Sequence, residues 1–135
     1  MAGVSTAPMT AETFVSLPVP ELGRPWNLVD GEVIVNSSSV DHQEAADNIL
    51  VALKIWAGAA TGRGRAGSEI DVELDEHNVY APDVWWYSSG RAPGAGAKPP
   101  YPMPDLAVEV RSPSTWRYDI GAKRAGYERH GLREL

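Results

Sequence analysis

The order of signals along the chain predicts an α/β-class domain, more narrowly an α+β fold with a mixed sheet. The expected order is a helix, a three-strand meander, a second helix and an incomplete final strand. Three observations carry this. Asp41 to Ala60 repeats apolar residues at helical spacing. Glu69 to Leu74 alternates acidic and apolar residues, as a strand with one buried face does. Two more strand-like runs, Val79–Tyr87 and Asp105–Arg111, precede a helix-length segment from Thr115 to His130, which Gly131 stops.

At 135 residues and 43% hydrophobic content the chain fits one domain with a core of its own. Residues 1–9 read as a flexible tail and 10–135 as the folded domain. The absence of cysteine excludes disulfides and thiolate metal sites. A bound metal would need oxygen ligands, with or without a histidine, which suits Mg²⁺ or Mn²⁺. No apolar run approaches the roughly 18 residues of a membrane span. Met1 to Pro8 lacks the basic start and apolar stretch of a secretory signal, so the expected location is cytoplasmic.

The net charge of −6 opposes a general grip on nucleic acid. The charge is uneven, however: residues 1–110 hold 6 Lys+Arg against 15 Asp+Glu, and residues 111–135 hold 6 against 3. A polyanion would therefore be met by the C-terminal part.

In chain order, Thr10 caps a short helix that Pro18 ends. Trp26 to Val35 forms a hairpin about Asp30-Gly31, a strong two-residue turn signal. In the long helix, Asp41 and Glu44 suggest a capping box. Ala45, Ile49, Ala52, Leu53, Trp56 and Ala60 form the stripe expected to face the core. Arg63 and Arg65, among glycines, read as a solvated basic loop. Glu69, Asp71 and Glu73 read as the solvated face of their strand, and His77 as a surface turn residue. Pro82 inside the next strand points to an edge or a bulge that re-aims Asp83. Of Trp85 and Trp86, which point to opposite faces, at least one belongs to the core. The Gly- and Pro-rich stretch from Ser88 to Pro104 is too long for a tight turn and reads as a linker or a functional loop.

The chemistry concentrates at Glu109. An apolar strand reaches this one carboxylate and breaks at Ser112-Pro113. A carboxylate there needs a cation, a metal or a polar cleft. Asp83 ends the preceding strand. If the two strands are antiparallel neighbours, both carboxylates meet at one end of the sheet and can share a divalent cation. Asp119, Lys123 and Tyr127 recur at spacing four, hence on one helix face. Lys123 can then orient water or stabilise developing charge, with Asp119 holding it in place. Two carboxylates and a lysine are the groups that metal-dependent phosphodiester cleavage requires.

Several stretches carry a resemblance: Asp30-Gly31-Glu32, Asp41-His42-Gln43, Pro82-Asp83-Val84, Asp105 to Ser114, Arg117 to Asp119 with Lys123 and Tyr127, and Gly131 to Leu135. Together, over residues 10–135, this ordered set resembles the Uma-two-type restriction endonucleases of the PD-(D/E)XK nuclease superfamily. The resemblance implies a restriction-endonuclease-like core and DNA as partner. It implies Asp83 and Glu109 as ligands of Mg²⁺ or Mn²⁺ and Lys123 as the catalytic lysine. It also implies Glu32 as an accessory acid and His42 as a cleft residue. The superfamily's usual lysine, two residues after the strand Glu, is replaced by Arg111, which could still contact phosphate. The family continues past Leu135, so the domain is expected to be C-terminally incomplete. A sheet edge left open there would be a template for a homodimer. Two other classes stay open from the residues: a non-catalytic interaction module on the same fold, and a metal-assisted hydrolase of small phosphoesters.

Overall fold

Turn and break residues cut the strands shorter than their hydrophobic runs. The computed structural model describes residues 7–18, 26–35, 39–110 and 118–135. Helix α1 (Ala11–Val15) starts at Thr10, whose Oγ1 accepts the Thr13 N–H. Strands β1 (Trp26–Val29) and β2 (Glu32–Val35) pair antiparallel, with Val29 opposite Glu32. The turn between them has Asp30 at φ 49° and Gly31 at φ 80°, the left-handed pair a two-residue hairpin demands.

Of the expected strands, Glu69–Leu74 is shortened and Val79–Tyr87 is divided between two sheets. A further strand, β3 (Arg65–Gly67), forms in the stretch expected to be a solvated basic loop, while the first expected strand keeps only β4 (Val72–Asp75). The second yields β5 (Asn78–Tyr80) and β6 (Val84–Tyr87). With β7 (Leu106–Val108), the sheets run β2-β1-β5-β4 and β3-β6-β7, antiparallel throughout these pairings. The expected three-strand meander is thus corrected to a bent double hairpin shared by two sheets. Pro82 supplies the reason: it has no N–H for a ladder, and the strand breaks around it. The bend is closed from the other side by the Glu69 N–H, which donates to the Pro82 carbonyl at 3.2 Å. The final segment, expected as an incomplete strand, bridges in parallel to β7: the Ala107 N–H donates to the Glu134 carbonyl at 3.0 Å.

Two apolar clusters hold these pieces. Ala11, Phe14, Leu28 and Val79 pack α1 onto the four-stranded sheet. Val29, Tyr80, Ala107 and Tyr127 join both sheets to the C-terminal helix. The Ser88–Pro104 stretch is pinned rather than loose. Asp105 accepts the Ser88 N–H at 2.6 Å and pairs with Arg91, and the Tyr87 hydroxyl donates to the Pro102 carbonyl at 2.6 Å. His77 is likewise more than a surface residue. Its Nδ1 lies 2.9 Å from the Met9 carbonyl, and its own carbonyl accepts the Gly31 N–H.

Helix α2 (Val40–Gly58) departs most from expectation. Ser39, not Asp41, is the cap: its backbone is extended and its Oγ accepts the His42 N–H at 3.1 Å. The half-buried face is His42, Ala46, Leu50, Leu53 and Ala57, which packs towards β3 and β6. The stripe expected in the core is rotated off that face. Of its six residues only Leu53 is half-buried; Ala45, Ile49, Ala52, Trp56 and Ala60 are exposed. A helix that is apolar on more than one side does not specify which side meets the sheet. At the C-terminal end, a π-helical turn (Tyr118–Lys123) runs into α3 (Arg124–Arg129), and Gly131 at φ 81° closes it.

Candidate functional site

In the β6–β7 ladder Val84 faces Val108 and Trp85 faces Ala107. One step further in this register stand Asp83 and Glu109. The Val110 N–H donates to Asp83 Oδ2 at 2.6 Å, so the two carboxylates close the ladder as neighbours. Their side chains are only 6% and 7% exposed, which makes every partner count.

Among the described residues, Glu109 is held through one oxygen. Its Oε2 accepts the Tyr127 hydroxyl at 2.6 Å and lies 2.7 Å from the Lys123 ammonium. Lys123 and Tyr127 are one helical turn apart, so both reach the same atom. Lys123 ends a π-helical turn, a feature that recurs at functional sites. The other sheet supplies Tyr80. Lys123 Nζ lies 5.5 Å from the centroid of its ring, and the ring meets Tyr127 edge-on at 5.0 Å. A Cβ on Gly126 would overlap the Tyr80 hydroxyl, so glycine lets α3 approach this closely.

Asp83 is held from the other side. His42, in the first turn of α2, places Nε2 3.4 Å from Asp83 Oδ2. A pocket of about 230 Å³ opens there, with His42, Asp47, Glu69 and Asp83 in its wall. Burial, reinforced by the neighbouring Glu109, pushes the Asp83 carboxyl up to about 6, against the pull of the Val110 N–H, His42 and Lys123. Burial also raises Glu69, with His42 opposing. It holds the Tyr127 phenol well above its ordinary range, with Glu109 adding to the effect, so Tyr127 stays a donor.

The raised Asp83 carboxyl has a stability consequence. Its folded-state value lies above the unfolded value of 3.8, so the folded chain binds the proton more tightly. That stabilisation is complete below the unfolded value and is lost as pH rises through about 6. The loss is about 3 kcal/mol at most, from about 1.4 kcal/mol per unit. In chelator, unfolding free energies of wild type and Asp83→Asn should diverge over that window, with wild type losing ground as pH rises. Parallel curves would show that burial does not perturb Asp83.

The structure brings together Asp83, Glu109, Lys123, Tyr127 and His42. Glu32 is exposed on β2, at the edge of the other sheet, and among the described residues no bond ties it to the pair. Arg111 lies outside the described residues, as does the side chain of Asp119. Sequence reasoning missed Tyr80 and Glu69. Tyr80 could have been suspected as a large aromatic two residues before Pro82-Asp83. Glu69 sits at the bend with φ 45°, a conformation that nothing in its neighbours announces.

A divalent cation fits the donor set. Asp83 Oδ1 and Glu109 Oε1 accept no hydrogen bond among the described residues, while the second oxygen of each is committed to protein partners. Two hard carboxylate oxygens with water completing the shell suit Mg²⁺. No cluster of three or more His, Asp or Glu ligands converges among the described residues.

Residues 11–135 match the model of the family described as "Uma2: Putative restriction endonuclease". The fold is similar to that of a crystal structure from Anabaena variabilis, described as "a putative nuclease belonging to DUF820". The TM-score is 0.73 at 19% identity, over 93% of this chain and 70% of that one. None of the curated proteins matches the chain. Among the described residues, no helix is long and apolar enough to cross a membrane.

Proposed function

The chain belongs to the Uma2 family, and on that premise we propose that it is a metal-dependent endonuclease hydrolysing phosphodiester bonds in DNA. Asp83 and Glu109 would hold Mg²⁺ or Mn²⁺. The bound cation would neutralise phosphate charge and lower the pKa of a coordinated water. The observation that supports this most is the pair of buried carboxylates in one register, each with one oxygen committed to protein donors and one that accepts no hydrogen bond among the described residues.

The remaining residues take roles around that pair. Tyr127 fixes the Glu109 carboxylate, so its second oxygen keeps one direction. Lys123, buried against Glu109 and the Tyr80 ring, offers a positive charge to the oxygens on which charge develops during displacement. His42 steadies Asp83 at the mouth of the pocket. In this reading Arg111 contacts phosphate, Asp119 positions Lys123, and Glu32 is an accessory acid. Plasmid incubated with Mg²⁺ or Mn²⁺ should be nicked and linearised by wild type. Asp83→Ala should lose about a thousandfold in rate or more. Equal cleavage by the two proteins would remove Asp83 from the reaction.

A further inference from the structure

Apolar residues beside the half-buried face of α2 are regularly spaced. Ala45, Ile49, Ala52 and Trp56 follow one another at intervals of four, three and four, the seam spacing of paired helices. Ile49 is 38% and Trp56 44% exposed, and both alanines are exposed. Trp56 is held ready: its ring meets Trp86 edge-on at 5.9 Å, and the Arg63 guanidinium lies 5.0 Å over it. Arg63 is fixed in turn by donating to the Trp56 carbonyl at 3.1 Å.

We propose that this seam binds the same seam of a second copy of the chain, with the two α2 helices antiparallel. The proposal is independent of the nuclease reading. Size and charge both select this occupant. About a two-fold axis between Leu50 and Val51, Ile49 faces the partner's Ala52 and Trp56 faces the partner's Ala45. Every large side chain then meets a small one, the alternation by which facing helices interdigitate. Asp41 flanks the N-terminal end of the face, and Arg63 lies over Trp56 at its C-terminal end. Antiparallel pairing brings each Arg63 to the acidic end of the other copy. Parallel pairing would set acid against acid. Opposed helix dipoles favour the same orientation. Trp and Arg are also the residue types that most often dominate binding energy at interfaces.

Sedimentation equilibrium of the full chain tests this. Wild type should be dimeric at about 100 μM, a concentration that reports micromolar association. Ala52→Glu, on an exposed position that leaves the fold intact by circular dichroism, should weaken the dimer at least roughly tenfold. Asp41→Arg and Arg63→Glu should each weaken it, and the double variant, with the charges exchanged, should recover most of the loss. A monomeric wild type would overturn the proposal. So would an Ala52→Glu dimer of undiminished affinity, or a double charge variant no tighter than the singles.

Discussion

Lys123→Met should abolish most DNA cleavage while leaving the metal in place. The expected fall in rate is about 10²–10³-fold, the usual cost of removing one charge-stabilising donor. Affinity for Mn²⁺ should change little, because the lysine holds Glu109 through Oε2, while Oε1, the proposed metal ligand, accepts no hydrogen bond among the described residues. Stability separates this reading from a structural one. Lys123 is 2% exposed and Glu109 7%, so the methionine leaves a buried carboxylate with Tyr127 as its hydrogen-bond donor. Breaking one side of a buried pair costs about 3–5 kcal/mol. Most of that loss should return on adding Mg²⁺, which replaces the missing positive charge. It should also return in the double variant Lys123→Met, Glu109→Gln, which has no charge left to bury. An active Lys123→Met protein would move the catalytic cation elsewhere, and Arg111 would be the residue to replace next.

Much of the central ladder was legible in the chain because strand parity and helical spacing are local rules. Pro82-Asp83 and the single acid of the Asp105–Arg111 run mark two strand ends, and the register brings those ends together. The spacing of four between Lys123 and Tyr127 put both on one face, and both reach Glu109. The Asp30-Gly31 turn and the Thr10 cap were equally local.

What sequence left open was decided by tertiary partners. The rotation of α2 about its axis depends on which surface the sheet offers, and its apolar residues allow more than one answer. The division of the Val79–Tyr87 run between sheets and the late start of β4 follow from Pro82 together with a bend at Glu69 that no local signal announced. Tyr80 belongs to the site only because β5 of one sheet lies against α3 and the end of the other. Glu69, read as part of a solvated face, reaches the pocket wall because the bend carries it out of alternation.

The shared carboxylate site is the claim on which the functional reading depends, and it predicts a large effect. Two buried carboxylates repel each other until a cation lies between them, and that repulsion contributes to the raised Asp83 carboxyl. Calorimetric titration with Mn²⁺ of wild type, Asp83→Asn and Glu109→Gln measures it directly. Wild type should take up one saturable ion that involves both residues. Each single variant should bind at least roughly tenfold more weakly; Asp83→Asn should lose the proton release that accompanies binding near pH 6 in wild type, and Glu109→Gln should reduce it. Equal affinity in wild type and Glu109→Gln would contradict a site shared by the two carboxylates.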